Sequence, residues 1–404
     1  MAIMHRMSRL FQPFTVISKT SNLSHKDITS KSQRLMLELG VIHQANPGCF
    51  HYLPLGVRAL NKLINIVDNE MQNIGGQKLI FPTLVKSDLW TQSGRADAMG
   101  PELITIQDRH DHKYILAPTH EETASHLLST IPPLSYKNFP LLLYQITPKF
   151  RDEMKPRFGL IRSREFIMKD MYSYDTSIDN AKKTYEIICK SYDKLFRKIG
   201  VKYVKVLGHS GTMGGNLSHE YHFLTDKGED KILTCNNCSY TANQEFYSRN
   251  WDRDQNMKRH ILQMGSYGIG ISRIIAASLE CLSTEQELRW PDVLAPYNVI
   301  IIPPKHGSKE YSFADTLTQQ LYINLETSLP FLKDNVLVDD RTSLTIGRRF
   351  LDARRTGYRF IIILNKKCME SPPLYELNDL VRNQQLLLNG YSVVKYISDY
   401  LHLE

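Results

Sequence analysis

Apolar residues recur with a helical period between Leu55 and Met71, where Val57, Leu60, Leu63, Ile64 and Val67 fall three or four apart. That spacing gathers them on one face and predicts an amphipathic helix. Gly75 and Gly76 follow it, as glycine does past a helix C-terminus. Ser30 to Leu39 reads as a shorter helix, and Ile178 to Ile199 and Ile271 to Leu282 as two more. Lys78 to Leu84 reads as a strand interrupted by Pro82, a residue that belongs at a sheet edge. Leu141 to Glu153 and Glu165 to Tyr174 read as long strands. Pro156 and Gly159 between them predict a loop, so the pair forms an antiparallel hairpin. Lys231 to Leu233 and Tyr240 to Asn243 are short extended pieces, and Gly265 to Gly270 is a glycine-rich turn.

Beyond Pro291 and Pro296 the pattern changes. Val299 to Ile302, Val336 to Asp339, Phe360 to Leu364 and Val393 to Tyr396 read as buried strands. They alternate with helical stretches at 312–328, 346–356 and 375–389. The alternation predicts a small α/β domain with a mainly parallel sheet.

Side chains alternate faces along a strand, so Gln145, Lys149, Arg151 and Glu153 share one face of the hairpin. Phe166, Met168 and Asp170 share one on the partner strand. An arginine, a glutamate and an aromatic on one sheet surface suit a nucleotide. The guanidinium forks onto phosphate or carboxylate oxygens, the carboxylate accepts from an adenine amino group, and the ring stacks on the base. The same spacing also describes a surface salt-bridge ladder, and both readings stand on these residues alone.

Composition narrows the class. The chain has 404 residues, 42% hydrophobic and 23% charged, an ordinary globular balance with room for two or three domains. A net charge of +8 fits a polyanionic partner. No apolar run is long enough to span a bilayer. Six cysteines in so long a chain do not read as a disulfide framework. Cys235 and Cys238 make one CxxC, but no second pair follows at a usable distance, so no metal site is expected. The first acidic residue is Asp27, and Arg6, Arg9, Lys19 and Lys26 stand among serines and threonines before it. That is the composition of a mitochondrial transit peptide, placed at 1–29.

Phe150-Arg151-Asp152-Glu153, with Arg162, Phe166 and Asp170 after it, resembles motif 2 of the class II aminoacyl-tRNA synthetases. Gly268-Ile269-Gly270-Ile271-Ser272-Arg273 resembles motif 3, and Gly76 to Pro82 resembles motif 1. Pro118-Thr119-His120-Glu121-Glu122, Ser93-Gly94-Arg95, Gly100-Pro101-Glu102-Leu103, Arg157-Phe158-Gly159, Ser218-His219-Glu220-Tyr221 and Trp290-Pro291-Asp292 are similar to segments of the prolyl-tRNA synthetases. The likeness runs from Ser30 to the C-terminus and favours the bacterial-type branch.

The resemblance implies an α+β catalytic domain at 30–292, built on a mainly antiparallel sheet, with the three motifs near 76–82, 145–170 and 265–273. An α/β anticodon-binding domain at 296–404 follows. It implies a homodimeric proline–tRNA ligase of the mitochondrial matrix. Such an enzyme joins L-proline to tRNA(Pro) through prolyl-adenylate, using ATP with Mg²⁺ held mainly on the phosphates. Arg151 would bridge the α-phosphate and the proline carboxylate, and Glu153 would read adenine. Phe166 and Arg273 would sandwich the base, with Arg162, Gly268 and Gly270 completing the ATP site. Thr119 and Glu121 would take the proline ammonium, with His219 and Ser266 near the ring. Asp340, Arg341 and Arg348 would lie by the anticodon.

The chain departs from the bacterial-type pattern in two places. Tyr221 and Gly265 are too close in sequence to hold an editing domain, and Cys235 to Glu245 looks like a shortened remnant. Ser266 stands where relatives often have cysteine. Thr119 and Glu122 also fit a capping box. A non-catalytic, nucleic-acid-binding accessory subunit of synthetase fold is the competing expectation, but such a protein should have lost the ATP residues present here. A threonine enzyme would need a zinc ligand set that the sequence does not offer.

Overall fold

The computed structural model describes residues 4–15, 28, 30–210, 217–228, 230–234, 241–243 and 262–401. Cys235 and Cys238, and most of the shortened segment around them, lie outside the described residues. The chain divides into two compact units. One comprises residues 44–50 and 63–277, the other residues 1–43, 51–62 and 278–404.

The first unit is organised by a four-stranded sheet. Its strands are β1 (Gln77–Lys78), β2 (Leu141–Phe150), β3 (Glu165–Asp175) and β4 (Gln263–Gly270), in the order β4-β3-β2-β1. β2 and β4 run antiparallel to β3, and β1 runs parallel to β2. The register sets Gln145 opposite Asp170 and Lys149 opposite Phe166. It also sets Gly268 opposite Asp170 and Ser266 opposite Tyr172. A helix at Ile178–Ile199 is capped by Ser177, whose hydroxyl accepts from Asn180 N, and stops at Gly200 in the left-handed conformation. Its apolar residues, Ile188, Leu195, Phe196 and Ile199 among them, are buried, as their helical spacing requires.

Three expected elements differ. β2 stops at Phe150, not at Glu153, because the chain leaves the ladder there: Asp152 N donates to Glu102 O at 2.9 Å. The strand expected at Lys78 to Leu84 is cut to β1. Pro82 has no N–H to pair, and Leu84–Lys86 joins a separate three-stranded sheet with Ile104–Gln107 and Lys113–Leu116. Gly265 to Gly270 is not a turn but the body of β4. A Cβ at Gly265 would stand 2.3 Å from Tyr267 Oη and 2.8 Å from Ser173 Oγ, so glycine is demanded there by packing and not by a bend.

The second unit carries a five-stranded sheet. Its strands are β5 (Val299–Ile302), β6 (Val336–Val338), β7 (Phe360–Ile363), β8 (Leu374–Asp379) and β9 (Gln384–Asn389), in the order β6-β5-β7-β8-β9. The first three are parallel and fully apolar, while β8 and β9 form an antiparallel hairpin. The sheet is therefore mixed rather than mainly parallel. The helix expected at 375–389 is that hairpin, turned at Asn383 with φ 52°. The strand expected at Val393 to Tyr396 is a helix, Gly390–Tyr400. Asn389 caps it by accepting from Ser392 N at 2.9 Å, and it buries Val393 and Ile397.

The N-terminal segment belongs to this sheet. Arg6 bridges Val338 in parallel, and Val338 N donates to His5 O at 2.9 Å. Met7 is buried, and Met4 packs against the sheet's apolar core. Thr15 N donates to Glu38 O at 2.9 Å.

Candidate active site

A cavity of about 980 Å³ opens on the face of β3 and β4. Arg95, Thr119, Glu121, Arg151, Tyr185 and Ser266 are among its walls. Glu121 is buried, at 5% exposure. Its Oε1 accepts from Thr119 Oγ1 at 2.7 Å and from Ser266 Oγ at 2.8 Å. Its Oε2 accepts from Arg95 Nη1 at 3.1 Å, and that guanidinium lies 4.8 Å from the Trp90 ring. Because Thr119 gives its proton to Glu121, its hydroxyl oxygen keeps lone pairs for another donor. Two acceptors side by side suit a cationic nitrogen with two N–H groups.

The capping-box reading of this segment does not hold. The helix begins at Glu121 with His120 in the cap position and no side-chain cap. Glu122 Oε1 instead accepts from Arg95 Nη1 at 2.8 Å and from Ser93 Oγ at 3.0 Å.

Arg151 stands just past the end of β2, with its guanidinium 5.5 Å from the Phe166 ring. Its Nε has no hydrogen-bond partner among the described residues. Glu153 Oε2 accepts from Arg162 Nε at 2.7 Å. Gly268 leaves open space beside β4, where a Cβ would meet only Met168 Sδ at 3.7 Å, while a Cβ at Gly270 would stand 3.3 Å from Arg273 Cβ. Arg273 sits in the first turn after β4 and donates from Nε to Ile161 O at 2.9 Å. β4 and the β2–β3 loop thus bring Arg151, Glu153, Arg162, Phe166 and Arg273 into one neighbourhood.

His219 is not a wall of the cavity. It lies on the strand His219–Phe223, and its Nδ1 is 2.8 Å from Tyr185 Oη. Burial, then Lys205, pushes the imidazole below its usual range, and Tyr185 stands between it and the open space. Tyr185 and Arg95 were not assigned roles from the sequence, since no local pattern says which helix face meets a cavity.

Under this floor lies a second charged group. Lys149 and Lys169 are fully buried, and Lys149 Nζ lies 2.8 Å from Asp170 Oδ1. Burial raises the Asp170 carboxyl, but the groups around it, Lys149 and Tyr172 among them, outweigh that and hold it at about 2. Burial lowers the Lys149 ammonium, partly offset by Asp170.

In the other unit, Asp340 Oδ1 accepts from Ser8 N at 2.8 Å and its Oδ2 from Ser8 Oγ at 2.6 Å. Arg341 forks onto Asp339 at 2.9 and 2.8 Å and reaches Asp352 at 3.3 Å. Asp339 as well as Asp352 therefore offsets the basic stretch. Arg348 pairs with Asp352 at 3.3 Å and remains 62% exposed.

Residues 104–281 match the tRNA synthetase class II core domain family (G, H, P, S and T). The chain is 43% identical to a Rattus norvegicus protein named probable proline–tRNA ligase, mitochondrial, over 92% of this chain and 86% of that one. The chain belongs to the proline–tRNA ligases. A mitochondrial relative from Schizosaccharomyces pombe is 34% identical over 85% of this chain and 88% of its own. The fold of proline–tRNA ligases is shared at greater distance. The Giardia lamblia prolyl-tRNA synthetase, solved with prolyl-adenylate, is similar with a TM-score of 0.75 at 18% identity, covering 93% of this chain and 80% of that one. The Cryptosporidium parvum prolyl-tRNA synthetase, solved with L-proline and AMP, gives 0.71 at 16% identity, over 92% and 77%. The class II synthetase core fold, mixed α and β with antiparallel sheets, is thus shown for this chain.

Proposed function

We propose that this chain ligates L-proline to tRNA(Pro) for mitochondrial translation, by way of prolyl-adenylate, consuming ATP and releasing AMP and pyrophosphate. The observation that carries the reading is the buried Glu121, held by Thr119 and Ser266, on the same cavity as Arg151. A secondary ammonium donates two N–H bonds, and the Glu121 carboxylate with the Thr119 oxygen accepts them. That orientation turns the proline carboxylate toward Arg151. The carboxylate oxygen attacks the α-phosphorus of ATP, and pyrophosphate leaves. Arg151 neutralises charge on both reactants, and such positioning with charge stabilisation is what phosphoryl chemistry asks of a protein. Phe166 and Arg273 hold adenine, and Glu153, turned from Arg162, accepts from its amino group. The terminal 3′ hydroxyl of tRNA then attacks the prolyl carbonyl, and AMP departs.

Mg²⁺ enters with the ATP phosphates, as its reluctance to dehydrate suits. Among the described residues no group of three or more His, Cys, Asp or Glu is placed to hold a metal ion, so no step is routed through a protein-held metal. The working protein is a homodimer of the mitochondrial matrix. Residues 30–292 form its catalytic domain, residues 296–404 its anticodon-binding domain, and Arg348 is an exposed cation there. Residues 1–29 have the composition of a transit peptide, and a cut at 29 would remove the packing of residues 4–15. No helix of the described residues is long and apolar enough to cross a membrane.

The test is proline-dependent exchange of pyrophosphate into ATP by the full chain, beside Arg151→Ala. Wild-type exchange is expected with proline, and the variant should fall about a hundredfold or more. Exchange with a different amino acid alone would replace the substrate, and no exchange with any would refute the enzyme.

A further inference from the structure

A set of largely buried hydrogen bonds joins the segment proposed to bind proline to the segment that resembles motif 1. His120 Nε2 lies 3.0 Å from Pro82 O, and its Nδ1 lies 2.9 Å from Gln145 Nε2. The Gln145 amide is fixed in orientation, because its Oε1 accepts from Phe81 N at 3.0 Å. Its Nε2 therefore donates twice, to His120 Nδ1 and to Asp170 Oδ2 at 3.0 Å. A carbonyl only accepts, so His120 Nε2 carries the proton and Nδ1 is the acceptor. The imidazole is locked as one neutral tautomer. Its ring stacks on Phe81, centroids 5.6 Å apart and 19° from parallel. On the other side, the His120 backbone N donates to Tyr172 Oη at 2.8 Å, and Tyr172 donates to Asp170 Oδ2 at 2.6 Å. The side chains are removed from water, with His120 and Asp170 1% exposed and Gln145 and Tyr172 0%, while Pro82, whose carbonyl holds Nε2, is exposed.

We infer that His120 is a positioning residue for proline. Although its Nδ1 lies 3.7 Å from Oδ2 of Asp170, which is a wall of the cavity, His120 is not itself one. It fixes its two neighbours, Thr119 and Glu121, against Phe81, Pro82 and Gln145. A satisfied buried network specifies one geometry, and a half-satisfied one costs more than an apolar replacement. The placement of the two acceptors for the proline nitrogen is thereby set by Phe81 and Pro82 in the segment after β1 and by Gln145 on β2. The ATP residues lie on the β2–β3 loop and the turn after β4, outside this set of bonds. Loss of the imidazole should therefore weaken proline and spare ATP.

The inference rests on the proposed proline activation, and the exchange assay separates the two. Wild-type exchange tests the function, and the variants test His120. His120→Ala is expected to raise KM for proline about tenfold or more, with KM for ATP within about twofold of wild type. His120→Asn, whose Oδ1 reaches the place of Nδ1 and again accepts from Gln145, should recover most of the loss while remaining measurably weaker than wild type. A His120→Ala protein with unchanged proline KM overturns the inference. So does a parallel rise in both KM values with no recovery in His120→Asn, which is the mark of a merely structural residue. If His120→Ala does not fold, His120→Asn decides alone: a proline-selective rise of about threefold supports the positioning role, and no rise refutes it. A wild-type chain that exchanges no proline overturns the function and this role together.

Discussion

Neighbouring residues on one strand can face opposite electrostatic fates. On β3, Asp170 faces donors and stays charged, held at about 2 although burial opposes it. Lys169 points to the other face, donates to Tyr267 O at 3.0 Å and touches Tyr192 Oη. Burial lowers its ammonium to about 7, and Asp170 offsets this only in part. The unfolded chain therefore binds more protons than the folded one between pH 7 and about 10.5, and stability must rise with pH across that window. Urea melts at pH 7 and pH 9 should show Lys169→Met gaining about 2 kcal/mol less than the full chain, and an equal gain in the two would show that the amine reaches water. Lys62, whose ammonium burial also lowers to about 7, keeps the rest of the rise in the variant. The alternation that separates these two residues is legible in the sequence, but which face holds the donors is not. Lys149, placed by spacing on one face with Arg151, is the buried partner of Asp170.

At the scale of elements, long periodic runs were readable and short ones were not. Ile178–Ile199 and Ile271–Leu282 are helices over the expected spans. The stretch 374–400 was inverted: a hairpin stands where a helix was expected, and a helix where a strand was expected. The β-branched pair Val393–Val394 reads as strand, but the Asn389 cap and the burial of Val393 and Ile397 one turn apart favour the helix. Asn389→Ala should cost about 1 kcal/mol. Hydrogen exchange should quicken first in residues 390–400, and equal protection in the variant would assign the helix start to packing instead. In β4 the glycines gave the opposite difficulty. Gly265 looks like a turn residue, yet its reason is the Tyr267 hydroxyl that fills the space of a side chain.

For the whole molecule, the N-terminal segment carries the largest consequence. Its composition is that of a leader, while residues 4–15 supply a bridge to Val338, a buried Met7 and both hydrogen bonds of Asp340. Asp340 is thereby engaged within the chain. A protein beginning at residue 16 exposes the edge of β6 and loses the methionine burial. It should be less stable than the full chain by roughly 3 kcal/mol, measured as the shift of the denaturation midpoint. A truncated protein with an unchanged midpoint would show that the segment adds nothing to the fold.

The sequence by itself determined the class of this protein. The motif 2, motif 3 and proline-binding segments are short and local, and their residue types follow from the chemistry they meet. It also determined the long helices and the apolar strands, whose periodicity is a property of neighbouring residues. Tertiary structure decided the rest. It turned His219 behind Tyr185, tied His120 to Pro82, pinned Glu121 between Thr119 and Ser266, and gave Asp340 to Ser8. The physical reason is the same in each case. A buried polar group must find its partner, and partners tens to hundreds of residues away leave no trace in local spacing.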